Sequence, residues 1–333
     1  MAIHIRRREF IVTLGSAAAA WPPLAARAQQ AGPPVVGFVN GGAADPAARY
    51  LAAFRKGLSE TGFAEGRNVQ VEYHWMEGRY DRIPMVIADL VRRQVAVIAT
   101  PGSTEAALSA KTATSTIPIV FGSAIDPVEL GLVASLARPG GNATGTNFFA
   151  FEVASKEFEL LHELVPRATR IAVLVNPSTG TAIDITLRAV QEAARALGLE
   201  VTVLKANTPG EIDAAFEALA RERAEALFIQ ADGFFASRRV QIVTLAARER
   251  MPASFTSREM VEAGLLMAYG TNIADMFRQV GIYTGTILCG ARPADLPVIQ
   301  ATKFEFIINL QTAKSLRLDI SPTLLARADE VIE

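Results

Sequence analysis

The chain has 333 residues, half of them hydrophobic and a fifth charged, a composition typical of a folded globular protein with room for two domains. Its formal net charge is −1, and removal of residues 1–28 takes away four Arg and one Glu and changes it to −4, which argues against nucleic-acid binding. After residue 30, charged residues interrupt every apolar run before it reaches the roughly 18 residues that a transmembrane helix needs. We therefore expect a soluble mature protein.

The first 28 residues contain the three parts of an export signal. A basic start, Arg6 to Arg8, precedes an apolar run from Val12 to Ala20, and Ala26-Arg27-Ala28 is a small-x-small cleavage site. The paired arginines followed by x-Phe10-Ile11 resemble a twin-arginine signal. We predict that residues 1–28 are such a signal, that the mature protein is periplasmic and that it carries no lipid anchor, because the cleavage site has no cysteine. An amphipathic first helix is the alternative.

From residue 35 to residue 147 the chain alternates between strand-like and helix-like segments. Apolar or alternating runs predict strands at 35–39, 68–75, 95–99, 117–121 and 142–147, and apolar spacings of three and four predict helices at 46–62, 81–93, 104–112 and 126–136. Repeated alternation of this kind is typical of a parallel sheet with helices on both faces.

The alternation pauses near Asn147 and then begins again. Strands are predicted at 171–175, 200–204, 226–230, 253–255, 264–268 and 303–308, and helices at 151–164, 182–197, 209–223, 237–250 and 273–289. Cys289, the only cysteine, follows an apolar helical run and is predicted to be buried.

We predict an α/β protein with two doubly wound parallel-sheet lobes joined by a hinge. The first lobe comprises residues 34–147 plus about 272–300, and the second comprises 148–271 plus about 301–333, with the lobe of the last segment left open. Three crossings, near residues 147, 271 and 300, would form the hinge.

Common catalytic signatures are missing. The chain has no G-x-S-x-G, G-x-x-x-x-G-K-[ST], G-x-G-x-x-G, H-E-x-x-H or C-x-x-C motif. His74 lies in a predicted strand and His162 on a predicted helix, and the sequence shows no Asp or Cys constellation around either. We therefore predict no catalytic residues, no metal and no cofactor.

Polar side chains instead follow the predicted strands, at the edge where parallel sheets bind ligands. The candidate ligand-binding residues are Asn40, Ser103, Thr104, Ser123, Asp126 and Asn147 in the first half, and Asn176, Asp232, Phe234, Glu259 and Tyr269 in the second. Ser103, Thr104 and Asp126 also stand where helix N-caps would stand, so capping alone is the alternative for these three. A carboxylate such as Asp232, followed by Phe234, suits a ligand ammonium group beside an aromatic wall, and core packing is the alternative for Phe234 and Tyr269.

Several motifs in order carry a family resemblance: Val36 to Gly42, Gly78 to Arg82, Ile117 to Phe121, Arg138 to Gly145, Val175 to Pro177 and Ala326 to Glu330. Over nearly all of residues 34–333 the chain resembles the ABC transporter substrate-binding family of the tryptophan-binding type. The resemblance implies a type I periplasmic binding protein, in which two lobes close on a solute and then dock to a membrane permease. It also implies that Ser103 and Thr104 hold the ligand carboxylate and that Asp232 holds the ammonium group.

The predicted function is therefore the solute-binding component of an ABC importer, with a small amino-acid-like or aromatic or carboxylated ligand between the lobes. The expected partners are that ligand and the inner-membrane permease, with no nucleic acid, and the protein is expected to be a monomer. Two alternatives stay open: an exported enzyme that uses Asp126, Asp232 or Glu259 as acid and base, and a ligand-sensing module for a membrane receptor.

Overall fold

The structure, a computed structural model, describes residues 32–44, 47–149, 153–302 and 304–333. The predicted signal at residues 1–28 lies outside them, as do the residues at the predicted start of the first helix. None of the helices in the described ranges is both long enough and apolar enough to cross a bilayer.

The strands of the described residues are β1 (Val35–Asn40), β2 (Gln70–Trp75), β3 (Val97–Thr100), β4 (Ile119–Ser123), β5 (Ala143–Asn147), β6 (Arg170–Val175), β7 (Glu200–Lys205), β8 (Ala226–Ile229), β9 (Ala253–Phe255), β10 (Met267–Thr271), β11 (Ile299–Gln300), β12 (Phe304–Asn309) and β13 (Glu330–Ile332).

The helices are α1 (Ala48–Glu60), α2 (Ile83–Arg92), α3 (Thr104–Ala113), α4 (Ala154–Leu164), α5 (Thr181–Leu197), α6 (Pro209–Arg221), α7 (Gly233–Ser237), α8 (Arg239–Arg248), α9 (Arg258–Glu262), α10 (Ile273–Leu288), α11 (Leu310–Ser315) and α12 (Pro322–Arg327). Short 3₁₀ turns lie at Tyr80–Arg82, Pro177–Thr179 and Pro293–Asp295.

These strands form two sheets. The first has the order β11-β5-β4-β3-β1-β2 and is parallel throughout, whereas the second has the order β13-β12-β10-β9-β8-β6-β7, with β10 and β12 as its antiparallel pair. The order β2-β1-β3-β4-β5 recurs as β7-β6-β8-β9-β10, so the two halves repeat one architecture. The predicted fold class is confirmed in this respect.

Local sequence explains where the helices begin and end. Thr208 and Glu211 form a capping box at the start of α6, and Pro209 occupies the first helical position, where its missing N–H costs nothing. Gly198 ends α5 in the left-handed conformation, with φ of 69°, which glycine adopts without steric strain.

Each sheet is covered on both faces, which makes each lobe doubly wound. In the first lobe, defined as the first sheet with its helices, α2 and α3 pack on one face and α1 and α10 on the other. In the second lobe, α4 packs on one face, whereas α6 and α8 pack on the opposite face. Continuous apolar strands such as Ile171 to Val175, all fully buried, suit a sheet that is covered on both sides.

The pairing of α1 with α10 ties a late part of the chain to the first lobe. A Cβ at Gly57 would overlap the carbonyl oxygen of Arg278, and a Cβ at Gly281 would overlap that of Phe54. The two helices therefore cross at backbone contact. The chain passes between the sheets after β5, after β10 and after β11, and the hinge action expected of these crossings stays a prediction.

The helix predicted at 126–136 is wrong, because this segment is a series of turns. Asp126 Oδ1 accepts a hydrogen bond from the Val128 backbone N–H at 2.7 Å, and Gly131 has φ of 68°. A side chain that closes a local turn competes with helix formation. Asp126 is therefore a turn residue and caps no helix.

Two further expectations near the end of the chain differ from the structure. The strand predicted at 264–268 is β10, three residues later, because Gly264, with φ of 125°, belongs to the turn that follows α9. Cys289 is exposed, because it caps the C-terminal end of α10 where the helix reaches the surface.

Candidate functional site

A cavity lies between the two sheets, at the carboxyl ends of their strands. Residues that follow β1, β3 and β4 line it from the first lobe, and residues that follow β8 and β9 line it from the second. The cavity has a volume of about 150 Å³, which is enough to hold a small organic molecule.

Asp232 lies at the wall that the second lobe contributes. Its Oδ1 accepts hydrogen bonds from the Phe234 N–H at 2.9 Å and from Asn176 Nδ2 at 3.1 Å. Its Oδ2 accepts one from the Tyr80 hydroxyl, at 2.7 Å, and this contact crosses from one lobe to the other. Burial raises the pKa of the Asp232 carboxyl, and the surrounding donors offset part of that rise. None of these donors is charged.

Glu105, the second residue of α3, lines the same cavity. Its carboxylate makes no hydrogen bond to another residue of the described ranges. Burial raises the pKa of Glu105 to about 7, and the negative charge of Asp232 contributes to the rise. The site therefore places two carboxyl groups near one another with little compensation for the second.

Aromatic rings form another part of the wall. The ring of Tyr50 stacks on Phe277 with centroids 5.2 Å apart and planes inclined by 26°. The Tyr50 hydroxyl donates to Glu259 Oε2, which is a second contact across the cleft, and Arg49 Nη1 lies 3.4 Å from Glu259 Oε1. Burial and the charge of Glu259 raise the pKa of Tyr50.

Four of the residues predicted to bind ligand line the cavity: Asn40, Thr104, Asp232 and Glu259. Asn40 is largely occupied in shaping the wall, since Nδ2 donates to the Pro101 carbonyl at 2.6 Å and Oδ1 accepts from the Gly42 N–H at 2.8 Å. Thr104 Oγ1 accepts from the Ala124 N–H at 3.2 Å.

Seven predicted residues lie outside the lining: Ser103, Ser123, Asp126, Asn147, Asn176, Phe234 and Tyr269. Ser103 caps α3 through a bond from the Ala106 N–H at 3.4 Å, and Ser123 Oγ donates to the Ile125 carbonyl at 2.8 Å. These two hydroxyls support the loops beside the cavity.

The other predicted residues outside the lining lie at a lobe crossing, behind the cavity wall or in a hydrophobic core. Asn147 Oδ1 accepts from the Phe149 N–H at 3.0 Å at a crossing between the lobes. Asn176 is buried and reaches the site only through Asp232. Phe234 is 1 % exposed in the core of the second lobe, so its ring is not the expected aromatic wall. Tyr269 stacks on Phe304.

Lining residues that sequence reasoning did not single out include five with aromatic or charged side chains: Tyr50, Tyr80, Glu105, Arg239 and Phe277. Tyr80 stands within one of the motifs that carried the family resemblance, and Glu105 directly follows a predicted site residue. Tyr50 and Phe277 have no local signal, because they lie within helices whose apolar spacing is also that of a core face.

Comparison with known families identifies the class of protein. The family described as ABC transporter substrate binding protein matches residues 35–332. The chain belongs to this family. The predicted resemblance is confirmed, and the cavity of this substrate-binding protein lies where its two sheets meet. Members of the family bind a small molecule, deliver it to an ABC permease and are typically found outside the cytoplasm.

Individual relatives agree with this membership. A tyrosine-binding protein from Clostridioides difficile strain R20291 is 27 % identical over 79 % of this chain and 75 % of its own length. A conserved domain protein from Vibrio cholerae O1 biovar El Tor is 25 % identical, with a TM-score of 0.80 over 90 % of this chain and 100 % of that structure. An ABC domain from Streptococcus pneumonia, solved in complex with L-Trp, is 24 % identical, with a TM-score of 0.78 over the same shares. The predicted type I periplasmic binding protein fold is confirmed by the likeness of the chain to solved solute-binding proteins.

Proposed function

We propose that this substrate-binding protein captures an amino acid between its two lobes and delivers it unchanged to its permease. The observation that carries the proposal is the cavity itself, which both lobes line and across which Tyr80 and Tyr50 donate to carboxylates of the opposite lobe. A ligand that touches both walls favours the state in which they are close together. The relative that binds tyrosine supports an amino acid as the ligand class.

The charged groups of the lining suggest where each part of an amino acid sits. Asp232, whose present donors are uncharged, suits the ammonium group. The start of α3 suits the carboxylate of the ligand less well than expected. The Ser103 hydroxyl already caps this helix, and the negatively charged side chain of Glu105 lies beside its start. Arg239, a guanidinium in the described lining, suits the carboxylate better, with Thr104 as a further contact.

Capture without chemistry is supported by the composition of the wall. The described lining contains no His, Cys or Lys, and Asp126, one of the three carboxylates of the enzyme alternative, lies outside it. That alternative retains Asp232 and Glu259. In a binding protein, Asp232→Asn lowers affinity, whereas in an enzyme it abolishes turnover of a ligand that still binds.

We further propose that the twin-arginine signal exports the folded chain to the periplasm, where it acts as a monomer with no lipid anchor and no nucleic-acid partner. The signal arginines make this testable. Replacing Arg7 and Arg8 by Lys keeps the charge, and the protein is then expected to stay in the cytoplasmic fraction. Undiminished export of that variant contradicts a twin-arginine route.

A ligand screen tests the proposed function directly. The twenty amino acids are added to the purified mature chain, and the melting temperature is recorded for each. At least one amino acid should raise it, bind with one-to-one stoichiometry in calorimetry and be recovered chemically unchanged after incubation. The proposal fails if no amino acid binds, or if every ligand that binds is turned over.

A further inference from the structure

The charges around the cavity are not balanced among the described residues. Three carboxylates, Glu105, Asp232 and Glu259, and one guanidinium, Arg239, belong to the lining. Glu259 has a cationic partner in Arg49, at 3.4 Å. Asp232 has uncharged donors, and Glu105 has no partner from another described residue. Two carboxylates therefore have no cation, and Arg239 has no anion in the described part of the chain.

Closure around a ligand removes water from these charged groups, so their imbalance then affects which ligand is bound. A charged group that loses water is stable only when it is paired, so on closure a carboxyl group either pairs with a cation of the ligand or takes up a proton. An amino acid with a neutral side chain offers one ammonium and one carboxylate, which suit Asp232 and Arg239. Such a ligand leaves Glu105 without a partner in a closed cavity.

We propose that Glu105 is a specificity-determining residue and that the ligand is a basic amino acid, whose side-chain ammonium or guanidinium pairs with it. The inference rests on the proposed function, because it names the subclass of amino acid that the same cavity accepts. Glu105 comes from the first lobe and Asp232 from the second, so the two cationic groups of one ligand tie both lobes together. The stacked rings of Tyr50 and Phe277 offer apolar surface to its methylene groups.

Titration of Glu105 agrees with this arrangement. The groups that face it are Asp232 and Tyr80, with Arg239 and Glu259 elsewhere on the wall. Burial and Asp232 raise the pKa of Glu105 to about 7, so the empty site holds a large fraction of protonated carboxyl at neutral pH. A bound cation favours the ionised form and displaces that proton. Affinity for a basic amino acid should therefore rise as the pH increases from 6 to 8.

Matched ligands and matched variants test the proposal. Arginine and citrulline have similar shapes but differ in side-chain charge, and lysine and norleucine differ by one ammonium group. Calorimetry on the mature chain should show that arginine or lysine binds at least about tenfold more tightly than its neutral counterpart. Glu105→Gln should remove most of that difference and leave the neutral ligands within a factor of about three. Glu217→Gln, which removes an equal charge from the exposed face of α6, should change neither affinity.

A measurement on the unmodified protein removes any dependence on how the variant folds. Binding of arginine in two buffers with different ionisation enthalpies should reveal proton release at pH 7, and citrulline should show less. Equal or tighter binding of neutral amino acids overturns the role of Glu105 but leaves amino-acid capture intact. Failure of every amino acid to bind overturns both proposals.

Discussion

Glu157 is a carboxyl group in the core of the second lobe, on α4, away from the cavity lining. Its side chain is completely buried, and neither oxygen makes a hydrogen bond of ordinary geometry within the described ranges. Burial raises its pKa to about 8, and the Ser254 hydroxyl opposes part of that rise. In the folded protein this carboxyl is therefore neutral at pH 7.

This burial predicts a pH dependence of stability. Between pH 4.5 and 8 the unfolded chain ionises Glu157 while the folded chain keeps it protonated, so the free energy of unfolding falls as the pH rises. Glu157→Gln removes this loss, because glutamine does not ionise. The difference in the free energy of unfolding between variant and parent should therefore shift in favour of the variant from pH 5 to pH 9, by on the order of a few kcal/mol. Urea unfolding at the two pH values measures it. Parallel pH profiles for parent and variant contradict the buried neutral carboxyl.

Tyr80 is the residue through which the first lobe reaches Asp232. Tyr80→Phe removes the donor and leaves Asp232 Oδ2 without the bond that crosses the cleft. We expect ligand affinity to fall by about tenfold, because that bond is made only when the lobes are close. Calorimetry measures the change. Tyr283→Phe is the control, since the Tyr283 hydroxyl donates to the Pro297 carbonyl away from the cavity. An equal loss of ligand affinity in both variants would contradict a role of the Tyr80 contact in binding.

At the scale of the helices and sheets, the crossing of α1 and α10 predicts a strict requirement for small residues. Gly57→Ala places a methyl group against the Arg278 carbonyl oxygen and must push the helices apart. The expected loss of stability is about 1–3 kcal/mol. Gly210→Ala on α6 is a matched control, because nothing lies within 4 Å of its added methyl. Denaturant unfolding distinguishes them, and similar stability for both variants contradicts the close packing.

Many of the strands and helices were predictable from the sequence. Buried parallel strands are continuous apolar runs, so β1, β6 and β9 were found close to their limits, and α5 was found because Gly198 ends it. The failure at 126–136 has a local cause, since the side chain of Asp126 closes a turn where a helix start was expected. Apolar spacing does not distinguish a helix from an ordered series of turns.

The site was predictable to the extent that strand ends define it. The predicted residues Asn40, Thr104, Asp232 and Glu259 line the cavity because each lies in or beside a loop that the topology brings to one edge. Tyr50 and Phe277 could not be found in this way, because they meet only when α10 returns to pack on α1. The positions of Tyr50 and Phe277 in the sequence do not indicate that their rings are in contact.

At the scale of the whole molecule, residues 34–333 form one compact unit, and the two lobes touch across the cavity. One close backbone approach between the lobes lies beside Asp232. A Cβ at Gly233 would lie 3.1 Å from the Gly42 nitrogen and 3.3 Å from the Gly41 carbonyl carbon. A larger residue at position 233 therefore obstructs the approach of the lobes without entering the core of either.

Gly233→Val tests whether binding needs that approach. The added side chain should hold the lobes apart and weaken ligand binding by about tenfold or more, because a ligand that touches one wall loses the contacts of the other. The melting temperature of the ligand-free protein should change little, since each sheet keeps its own core. Calorimetry gives the affinity, and small-angle scattering should show that the variant, unlike the Gly210→Ala control, fails to become more compact when ligand is added. Unchanged affinity would mean that the ligand is bound by one lobe alone and that the contacts across the cleft do not contribute to capture.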